Sequence, residues 1–457
     1  MENGYYVFER DNHYYLFDYE AGVKAEVSKD FAEIVQKTRK HICLEEDEKR
    51  LLKKIKNAGL LRDVSLENRN TTCKTAYLSF APTHSCNMRC AYCFGRWGEN
   101  YEGRNRIFNL KTIKRMIDYF FLEYCPAAEQ YRIDFVSGGE PLLGFSVILD
   151  ALNYVNHEYS SRKVKYWLCT NGTLLDEEII NKLDENHIFL GISIDGIKEK
   201  HDGVRLDADG KGTYEKVLNG IELLKQTGYW GRHKNVTALC TASNDNCDFV
   251  SIIKNFRQIG FSNAQIRLIR GAIDYNIEKL KKEYSRLTEF LFEEFLQGEM
   301  ETIKMILNNN DQYGQILKRM LINEIQIKRC EAGARKISVC ANGDIYPCDS
   351  LVGEKELRMG SLYSNKKMIK WKTKMKELSN YCDKCDIKHL CGGECFYNAY
   401  QKDDNNLRPA DYYCELQRFL VEECICLCVR MCQADYEKYN KLVRETCIKH
   451  EYMEMFG

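Results

Sequence analysis

Three cysteines within eight residues, Cys86, Cys90 and Cys93, are the residues of this sequence best spaced for metal chemistry. Three thiolates this close together can wrap around one iron–sulfur cube and leave its fourth iron without a protein ligand. An open position on iron can bind and activate a substrate, whereas a four-cysteine site would be closed. A zinc site with one more ligand from elsewhere, or three unrelated thiols, would give the same spacing.

A second field of cysteines follows further along the chain. Its members are Cys330, Cys340, Cys348, Cys382, Cys385, Cys391, Cys395 and Cys414. A zinc ribbon, with Cys382 and Cys385 facing Cys391 and Cys395, is the alternative to iron–sulfur ligation here. A last group falls on a predicted helix, where buried small apolar residues are the simplest interpretation. This group comprises Cys424, Cys426, Cys428 and Cys432.

The composition narrows the class of protein. The 457 residues include 22 cysteines, and 67 basic side chains balance 67 acidic ones. That cysteine content is below the roughly 8–10% of a disulfide scaffold. Because the net charge is zero, electrostatics gives no reason to expect nucleic acid or an anionic membrane as the main binding partner. Without an export signal or an apolar run of about 18 residues, the sequence predicts a cytoplasmic protein whose clustered cysteines bind metal.

The elements that must position these cysteines form three predicted regions, as the length suggests at roughly 150 residues per domain. Residues 1–72 open with two aromatic runs around the turn Asp11-Asn12, followed by two helical patterns. They predict a small winged-helix-like α+β domain, with a hairpin formed by Tyr5–Phe8 and Tyr14–Phe17. Residues 326–457 contain the second cysteine field and a C-terminal helix, expected over Cys414–Glu451.

Residues 73–325 alternate apolar strands with helices of three- and four-residue periodicity, and end in a helical bridge over Glu278–Ile322. Six such units predict a parallel sheet with right-handed crossovers, in an α/β fold of the open, partial (β/α)6 barrel type. The functional site should lie at the C-terminal ends of the strands. The predicted strands are Tyr77–Ala81, Arg132–Val136, Val164–Cys169, Ile188–Ile194, Asn235–Leu239 and Gln265–Ile269.

The motif CxxxCxYC after the first strand resembles the signature of radical S-adenosylmethionine (SAM) enzymes. Further motifs follow later strands in the order that family has: Ser137-Gly138-Gly139-Glu140-Pro141, Thr170-Asn171-Gly172 and Ser193-Ile194-Asp195-Gly196. The resemblance implies that Cys86, Cys90 and Cys93 hold a [4Fe-4S] cluster that cleaves SAM. It further implies SAM contacts from Tyr92, Gly138, Gly139, Glu140, Asn171, Ser193 and Asp195. Arg205 is either another such contact or an ordinary salt-bridge residue.

The spacing of the second cysteine field closely resembles the SPASM extension of radical SAM maturases, which act on peptides and proteins. The resemblance implies two auxiliary [4Fe-4S] clusters, and therefore three clusters in all. Cys330, Cys348 and Cys395 would hold one auxiliary cluster, and Cys382, Cys385, Cys391 and Cys414 the other. Seven ligands leave one iron position for a substrate thiolate, water or another protein ligand. Cys340, beside a predicted hairpin turn, is the spare cysteine.

The N-terminal domain resembles the RiPP recognition element, a module that binds the leader of a ribosomally made peptide by adding it as a strand. Together the three regions resemble thioether-forming peptide maturases of the sactipeptide and ranthipeptide type. The main prediction is therefore hydrogen abstraction from a cysteine-containing precursor peptide and formation of Cys thioether crosslinks. The leader would dock near Tyr5–Phe8 or Tyr14–Phe17, and a flavodoxin or ferredoxin would supply electrons.

Other functions are compatible with the same motifs. Carbon–carbon crosslinking and epimerisation of a peptide begin with the same radical. A sulfatase-maturase-like enzyme that oxidises Cys or Ser to formylglycine shares the cysteine pattern, but needs no leader-binding module and uses a catalytic base that the sequence does not identify. A non-catalytic electron-transfer protein is disfavoured, because a mere carrier has no need of a SAM site.

Overall fold

The computed structural model describes residues 4–62, 75–95, 107–136, 138–233, 236–271, 273–308, 311–326, 328–364, 381–402 and 408–456, with side chains up to residue 447. Ser137 and Asn235, the predicted starts of a motif and of a strand, lie outside these residues. Within them, no helix is long and apolar enough to cross a bilayer.

The N-terminal region is an antiparallel sheet of three strands followed by two helices. These elements are β1 (Tyr5–Arg10), β2 (His13–Asp18), β3 (Lys24–Val27), α1 (Lys29–Arg39) and α2 (Glu46–Asn57). The predicted hairpin is confirmed: Asp11 and Asn12 have φ of 51° and 62°, the left-handed values that a two-residue type I′ turn requires.

Strand β3 was not predicted, and its presence changes which strand edges are free. The sheet order is β1-β2-β3, so β2 is hydrogen-bonded on both sides. The expectation that Tyr14–Phe17 could receive an added strand is therefore wrong, because its backbone groups already pair with β1 and β3. In the described sheet, the Tyr5–Phe8 segment remains on an edge strand.

The central region contains the predicted partial barrel of six parallel strands. The strands are β4 (Thr75–Phe80), β5 (Gln130–Phe135), β6 (Val164–Thr170), β7 (Ile188–Ser193), β8 (Thr237–Ala242) and β9 (Asn263–Leu268). The connecting helices are α3 (Leu110–Asp118), α4 (Phe145–Glu158), α5 (Glu177–Glu185), α6 (Lys198–Val204), α7 (Tyr214–Gln226), α8 (Tyr229–Arg232) and α9 (Phe249–Ile259). A π-helical turn, Tyr119–Tyr124, extends α3.

The sheet does not stop at the barrel. Strands β10 (Lys336–Val339), β11 (Asp344–Tyr346) and β12 (Gly360–Ser361) extend it to the order β12-β11-β10-β4-β5-β6-β7-β8-β9. β10 pairs in parallel with β4, with Lys336 opposite Tyr77. The cysteine-rich region is therefore built onto the edge of the strand that precedes Cys86. The domain boundaries at residues 72 and 325 stay predictions.

The predicted helical bridge is three helices rather than one: α10 (Ile277–Gln297), α11 (Met300–Leu307) and α12 (Gln312–Ile322). Gly298 ends α10 with φ of 83°, and the Asp311 side chain caps the start of α12. The short helices α13 (Lys388–Cys391) and α14 (Phe396–Lys402) follow. The predicted C-terminal helix is divided at the extended residue Asp435 into α15 (Asp411–Ala434) and α16 (Tyr436–Phe456).

The N-terminal sheet is buried on both faces. Tyr6, Phe8, Phe17 and Tyr19 on one face belong to the main hydrophobic core, which also contains the barrel. The other face packs against α1 in a small core of its own, with Tyr5, Val7, Leu16, Ala32, Val35 and Leu61. Burial of both faces fixes this domain against the rest of the chain.

Candidate functional site

The loop that carries Cys86, Cys90 and Cys93 follows β4 at the C-terminal end of the barrel strands. Its backbone is pinned to the segment after α6: Arg89 N–H donates to the Leu206 carbonyl at 2.7 Å, and Ala91 N–H donates to the Val204 carbonyl at 2.9 Å. These bonds hold a stretch without regular secondary structure in one conformation over the barrel mouth.

The three cysteines lie close enough together to influence one another's ionisation. Burial, with smaller contributions from Glu140, Cys90 and Cys93, raises the pKa of Cys86 to about 11. Two donors face the sulfurs: Met88 N–H lies 3.4 Å from Cys86 Sγ, and Arg205 Nη1 lies 3.8 Å from Cys90 Sγ. Such donors stabilise thiolates, which is the form that binds iron.

Gly138 and Gly139 bring the end of β5 against the cysteine loop. Gly138 has φ of 99°, a value that favours glycine. A Cβ on Gly139 would lie 2.3 Å from the Ser85 carbonyl oxygen and 2.6 Å from that of Thr83. The backbone N–H of Glu140 donates to the Ser85 carbonyl at 2.9 Å. Only glycine fits at 139 with the loop in this position.

Glu140 is buried and organises the next strand end. Its carboxylate accepts hydrogen bonds from Thr170 Oγ1 at 2.6 Å, from Asn171 N–H at 2.8 Å and from Leu142 N–H at 3.2 Å. The Asn171 side chain in turn donates to Asn87 Oδ1, in the cysteine loop, at 2.9 Å. The predicted SAM contacts of Glu140 and Asn171 stay predictions; in this structure the two residues link β5, β6 and the cysteine loop.

Asp195, after β7, is fully buried in a second polar group. Its carboxylate accepts hydrogen bonds from Tyr92 Oη, from Arg205 Nε at 2.9 Å and from Thr241 N–H at 2.8 Å. The Arg205 guanidinium also lies 5.5 Å from the centre of the Tyr92 ring. The sequence did not decide whether Arg205 contacts SAM or forms an ordinary salt bridge. In the structure, its side chain connects Asp195 to Cys90. Ser193, the other predicted contact on this strand, is half-buried at the end of β7.

The second cysteine field divides into two neighbourhoods, and the ligand sets assigned to them stay predictions. Burial, with smaller contributions from Asp349, Cys395 and Cys330, raises the pKa of Cys348 to about 12. Burial also raises the pKa of Cys414 to about 12, with contributions from Cys391, Cys382 and Cys385. Cys340 packs against Tyr346 and Val352.

Cys382, Cys385, Cys391 and Cys414 line a cavity of about 450 Å³. Among the described residues, no three His, Cys, Asp or Glu side chains converge closely enough to hold a single metal ion. The zinc ribbon and the iron–sulfur ligation of these cysteines both stay predictions.

A buried carboxylate beside Cys348 was missed from the sequence. Asp349, 8% exposed, lies 2.8 Å from Lys336 Nζ and 3.5 Å from Arg270 Nη1. Arg270 follows β9 at the barrel mouth and lies 5.5 Å from the ring centre of Phe94, the neighbour of Cys93. Asp349 therefore lies between the two cysteine fields. The sequence does show an acidic residue directly after a candidate cysteine ligand, but that pattern is too common to predict a functional carboxylate.

Comparison with known proteins agrees with this geometry. Residues 80–269, which span β4 to β9, match the Radical SAM superfamily. An uncharacterized protein of Methanocaldococcus jannaschii is 30% identical over 279 residues, which are 61% of this chain and 86% of that protein. The chain belongs to the Radical SAM superfamily. This family implies SAM and a [4Fe-4S] cluster, and the three neighbouring thiols with N–H donors beside them suit such a cluster.

Similarity to radical SAM maturases extends beyond the barrel. A cysteine-type anaerobic sulfatase-maturating enzyme of Clostridium perfringens is 28% identical over an alignment of 364 positions, which covers 72% of this chain and 90% of the enzyme. The solved structure of native anSMEcpe with bound AdoMet has the same fold, with a TM-score of 0.61 and 24% identity. The superposition covers 80% of this chain and 99% of that structure.

Proposed function

We propose that this radical SAM enzyme oxidises a cysteine or serine side chain of a protein substrate to formylglycine, as a sulfatase-maturating enzyme does. The observation that carries the proposal is the extent of the similarity to the Clostridium perfringens enzyme. The alignment spans 364 positions, almost twice the length of the barrel match at 80–269. The similarity therefore includes regions outside the barrel, where the second cysteine field lies.

The residues proposed to hold the cofactors follow from the site. Cys86, Cys90 and Cys93 would hold the SAM-cleaving cluster, beside the Gly138–Glu140 turn. The two neighbourhoods of the second field would hold two auxiliary clusters, with the ligand sets implied by the spacing. When bound, the cluster and SAM supply a carbon-centred radical that removes a hydrogen atom from the substrate Cβ.

The chain itself must accept a proton. Conversion of a cysteine to an aldehyde removes one hydrogen atom from Cβ, one proton from the thiol and one electron, which an iron–sulfur cluster would accept. Water then adds and sulfur leaves as hydrogen sulfide. Asp349 is the described carboxylate best placed to take the proton, because it lies beside Cys348 and faces the barrel mouth through Arg270.

Lys336 and Arg270 suit this assignment. Burial lowers the pKa of Lys336, but the negative groups around it, Asp349 first and then Cys348 and Asp134, together offset burial and hold the pKa above its ordinary value. A charged lysine 2.8 Å away keeps Asp349 ionised and ready to accept a proton. Asp349→Asn should therefore reduce product formation by about 100-fold or more, as for loss of a general base, while SAM is still cleaved.

The experiment is mass spectrometry of a cysteine-containing sulfatase peptide incubated with the reduced enzyme and SAM. Formylglycine formation replaces the sulfur atom by oxygen and also removes two hydrogens, and the aldehyde product reacts with hydrazides. A peptide that keeps its sulfur and loses two hydrogens would contradict the proposal and indicate a thioether. A flavodoxin or ferredoxin is proposed as the electron donor.

Thioether crosslinking of a precursor peptide is the second candidate, and the N-terminal domain favours it. The superposition on anSMEcpe includes 99% of that structure but only 80% of this chain. About a fifth of this chain therefore has no counterpart there. Residues 5–57 form a sheet and two helices with an edge at β1, the arrangement expected of a leader-binding module. If a substitution that blocks the free edge of β1 abolished the leader-dependent modification of a precursor peptide, that result would support this candidate.

A further inference from the structure

Gln417 is a buried side chain that the fold leaves without a partner. It lies in α15, three residues after Cys414, and it is fully buried. Neither its Nε2 nor its Oε1 has a hydrogen-bond partner among the described residues. A buried amide without a hydrogen-bond partner destabilises the folded state, so a helix that needed only packing here would favour leucine or methionine.

The carboxamide borders the cavity that contains the cysteines. Gln417 lines the same 450 Å³ space as Cys382, Cys385, Cys391 and Cys414. Residues three apart on a helix lie on one face, which places Gln417 and Cys414 side by side. The other polar groups around the cavity include Glu394, Lys281 and Arg418. Gln417 is thus a neutral side chain with an N–H donor at the border of a cavity lined by four cysteines.

We propose that Gln417 donates an N–H hydrogen bond to a sulfur of the iron–sulfur cluster held by these four cysteines. The inference rests on the proposed function, which places an auxiliary cluster in this cavity. Hydrogen bonds to cluster and cysteine sulfurs stabilise the more negatively charged, reduced state, and so raise the reduction potential. Gln417 is a positioning residue: it holds the potential of this cluster above the value that its four thiolates alone would give.

The test measures the potential rather than turnover. In a background in which Cys86, Cys90 and Cys93 are replaced by Ala, only the auxiliary clusters remain, and an EPR-monitored redox titration reports them. Gln417→Met keeps the length of the side chain but has no N–H, so the midpoint potential should fall. Gln417→Glu adds a negative charge at the same place and should lower it further. Iron content should stay at that of the parent.

A matched control is available on the same helix. Gln433 is exposed and lies 3.5 Å from Glu26, far from the cavity. Gln433→Met should leave the potential unchanged. An unmoved potential in both Gln417 variants, with iron still bound, would overturn the role of Gln417 alone. A parent protein that binds no auxiliary iron would overturn the cluster assignment, and with it the role of Gln417.

Thermal unfolding of the iron-free protein decides the case if a variant fails to bind iron. Without a cluster, the Gln417 amide is unpaired, so Gln417→Met should be at least as stable as the parent apoprotein. The same substitution should lower the unfolding temperature of the iron-loaded protein. Loss of stability in the apoprotein would show that Gln417 is paired within the polypeptide, and would overturn the proposal.

Discussion

The two loops that carry most of the candidate ligands are held in place in different ways. The Cys86–Cys93 loop is fixed by its own barrel: residues 204–206 pair with its backbone, and Asn171 bonds to Asn87. Every one of these contacts comes from the region that matches the family. The backbone of this loop is therefore held from within the barrel.

The Cys382–Cys391 loop is held by residues distant in sequence. Three backbone carbonyls of this loop accept hydrogen bonds from outside it. The Asp386 carbonyl accepts from Tyr19 Oη at 2.7 Å. The His389 carbonyl accepts from Gln326 N–H at 2.6 Å, and the Leu390 carbonyl accepts from Arg319 Nη1 at 3.1 Å. Arg39 of α1 also forms an ion pair with the Asp386 carboxylate. The N-terminal domain thus contributes directly to the geometry of this cysteine group.

The difference shows that the N-terminal domain has a structural task besides any binding of substrate. Substitutions inside the barrel should affect SAM cleavage and leave the auxiliary site intact. Substitutions in the N-terminal domain should disturb the auxiliary site and leave SAM cleavage intact. A phenotype from deleting residues 1–70 would therefore not by itself establish a role in peptide recognition.

The largest effect is expected when the barrel ligands are removed. Replacing Cys86, Cys90 and Cys93 together with Ala should abolish formation of 5'-deoxyadenosine, because no thiolate remains beside the Glu140 turn to hold the cluster. Chromatography of the reduced enzyme with SAM measures it. The iron content should fall by about four per chain, from about twelve if three clusters are present.

Cys43→Ala is the control for this triple variant. Cys43 is exposed and lies in the loop between α1 and α2. Its replacement should leave both iron content and SAM cleavage as they are. Cleavage at the normal rate by the triple variant would refute the ligand assignment, and loss of all iron would show that the auxiliary site depends on the barrel loop after all.

The next largest effect concerns the buried ion pair beside Cys90. Asp195→Asn leaves the Arg205 charge buried and unpaired, since the side chains are 0% and 9% exposed. Breaking a buried pair by removing one partner costs about 3–5 kcal/mol. Thermal unfolding of the apoprotein should show a loss of this size. Asp184→Asn, which breaks the more exposed pair with Arg232, should cost at most about 1 kcal/mol; equal losses would contradict the argument.

Much of the barrel could be predicted from the sequence because its signals are local. Each strand is a short apolar run followed by glycine or a polar motif, and the structure places all six strands within a few residues of the prediction. The grouping assigned to the second cysteine field rests on equally local spacing, and it stays a prediction.

Contacts between remote segments could not be predicted. Nothing in the three residues Asp344–Tyr346 indicates that they extend the barrel sheet, because a strand so short is stabilised only by its neighbours. The positions of Arg270 and Asp349, 79 residues apart, likewise depend on tertiary packing. The partner of Arg205 could not be identified, because its interactions span β7, Tyr92 and Cys90.

An intermediate effect should follow from loosening the N-terminal domain. Tyr19→Phe combined with Arg39→Ala removes both contacts with Asp386 but leaves every cysteine in place. One lost hydrogen bond costs about 1 kcal/mol, and with the ion pair the effect on loop opening is roughly 5–30-fold. A chelator should therefore extract auxiliary iron faster by about that factor, while 5'-deoxyadenosine formation is unchanged.

Two controls separate this effect from general destabilisation. Tyr131→Phe removes an equally buried hydroxyl, which donates to the Cys125 carbonyl at 2.9 Å. Arg50→Ala removes an arginine of the same domain whose side chain is 78% exposed. Neither should accelerate the release of iron. Equal release from the double variant and the controls would mean that the N-terminal domain does not hold the auxiliary loop.

The smallest effect at neutral pH is a pH dependence that belongs to the barrel alone and emerges only in acid. His201 is fully buried, accepts the backbone N–H of Asp195 at 3.2 Å and lies 3.1 Å from Thr213 Oγ1. Burial, with Arg205 adding to it, lowers the pKa of His201 to about 4. The native state therefore keeps this imidazole neutral at pH values where the unfolded chain, with a pKa of about 6.5, takes up a proton.

The sign follows from that difference. Above about pH 6.5 the imidazole is neutral in both the folded and the unfolded state, so His201 does not reduce the free energy of unfolding. As the pH falls from about 6.5 to about 4, only the unfolded chain takes up a proton, and this lowers the free energy of unfolding by up to about 3 kcal/mol. His201→Gln should flatten the apoprotein's unfolding curve over this range, whereas His157→Gln, at a site 83% exposed, should not. Because iron release from the auxiliary loop does not involve His201, its rate at a given pH should be the same with and without the substitution. A variant that kept the full pH dependence would show that His201 titrates normally in the folded protein.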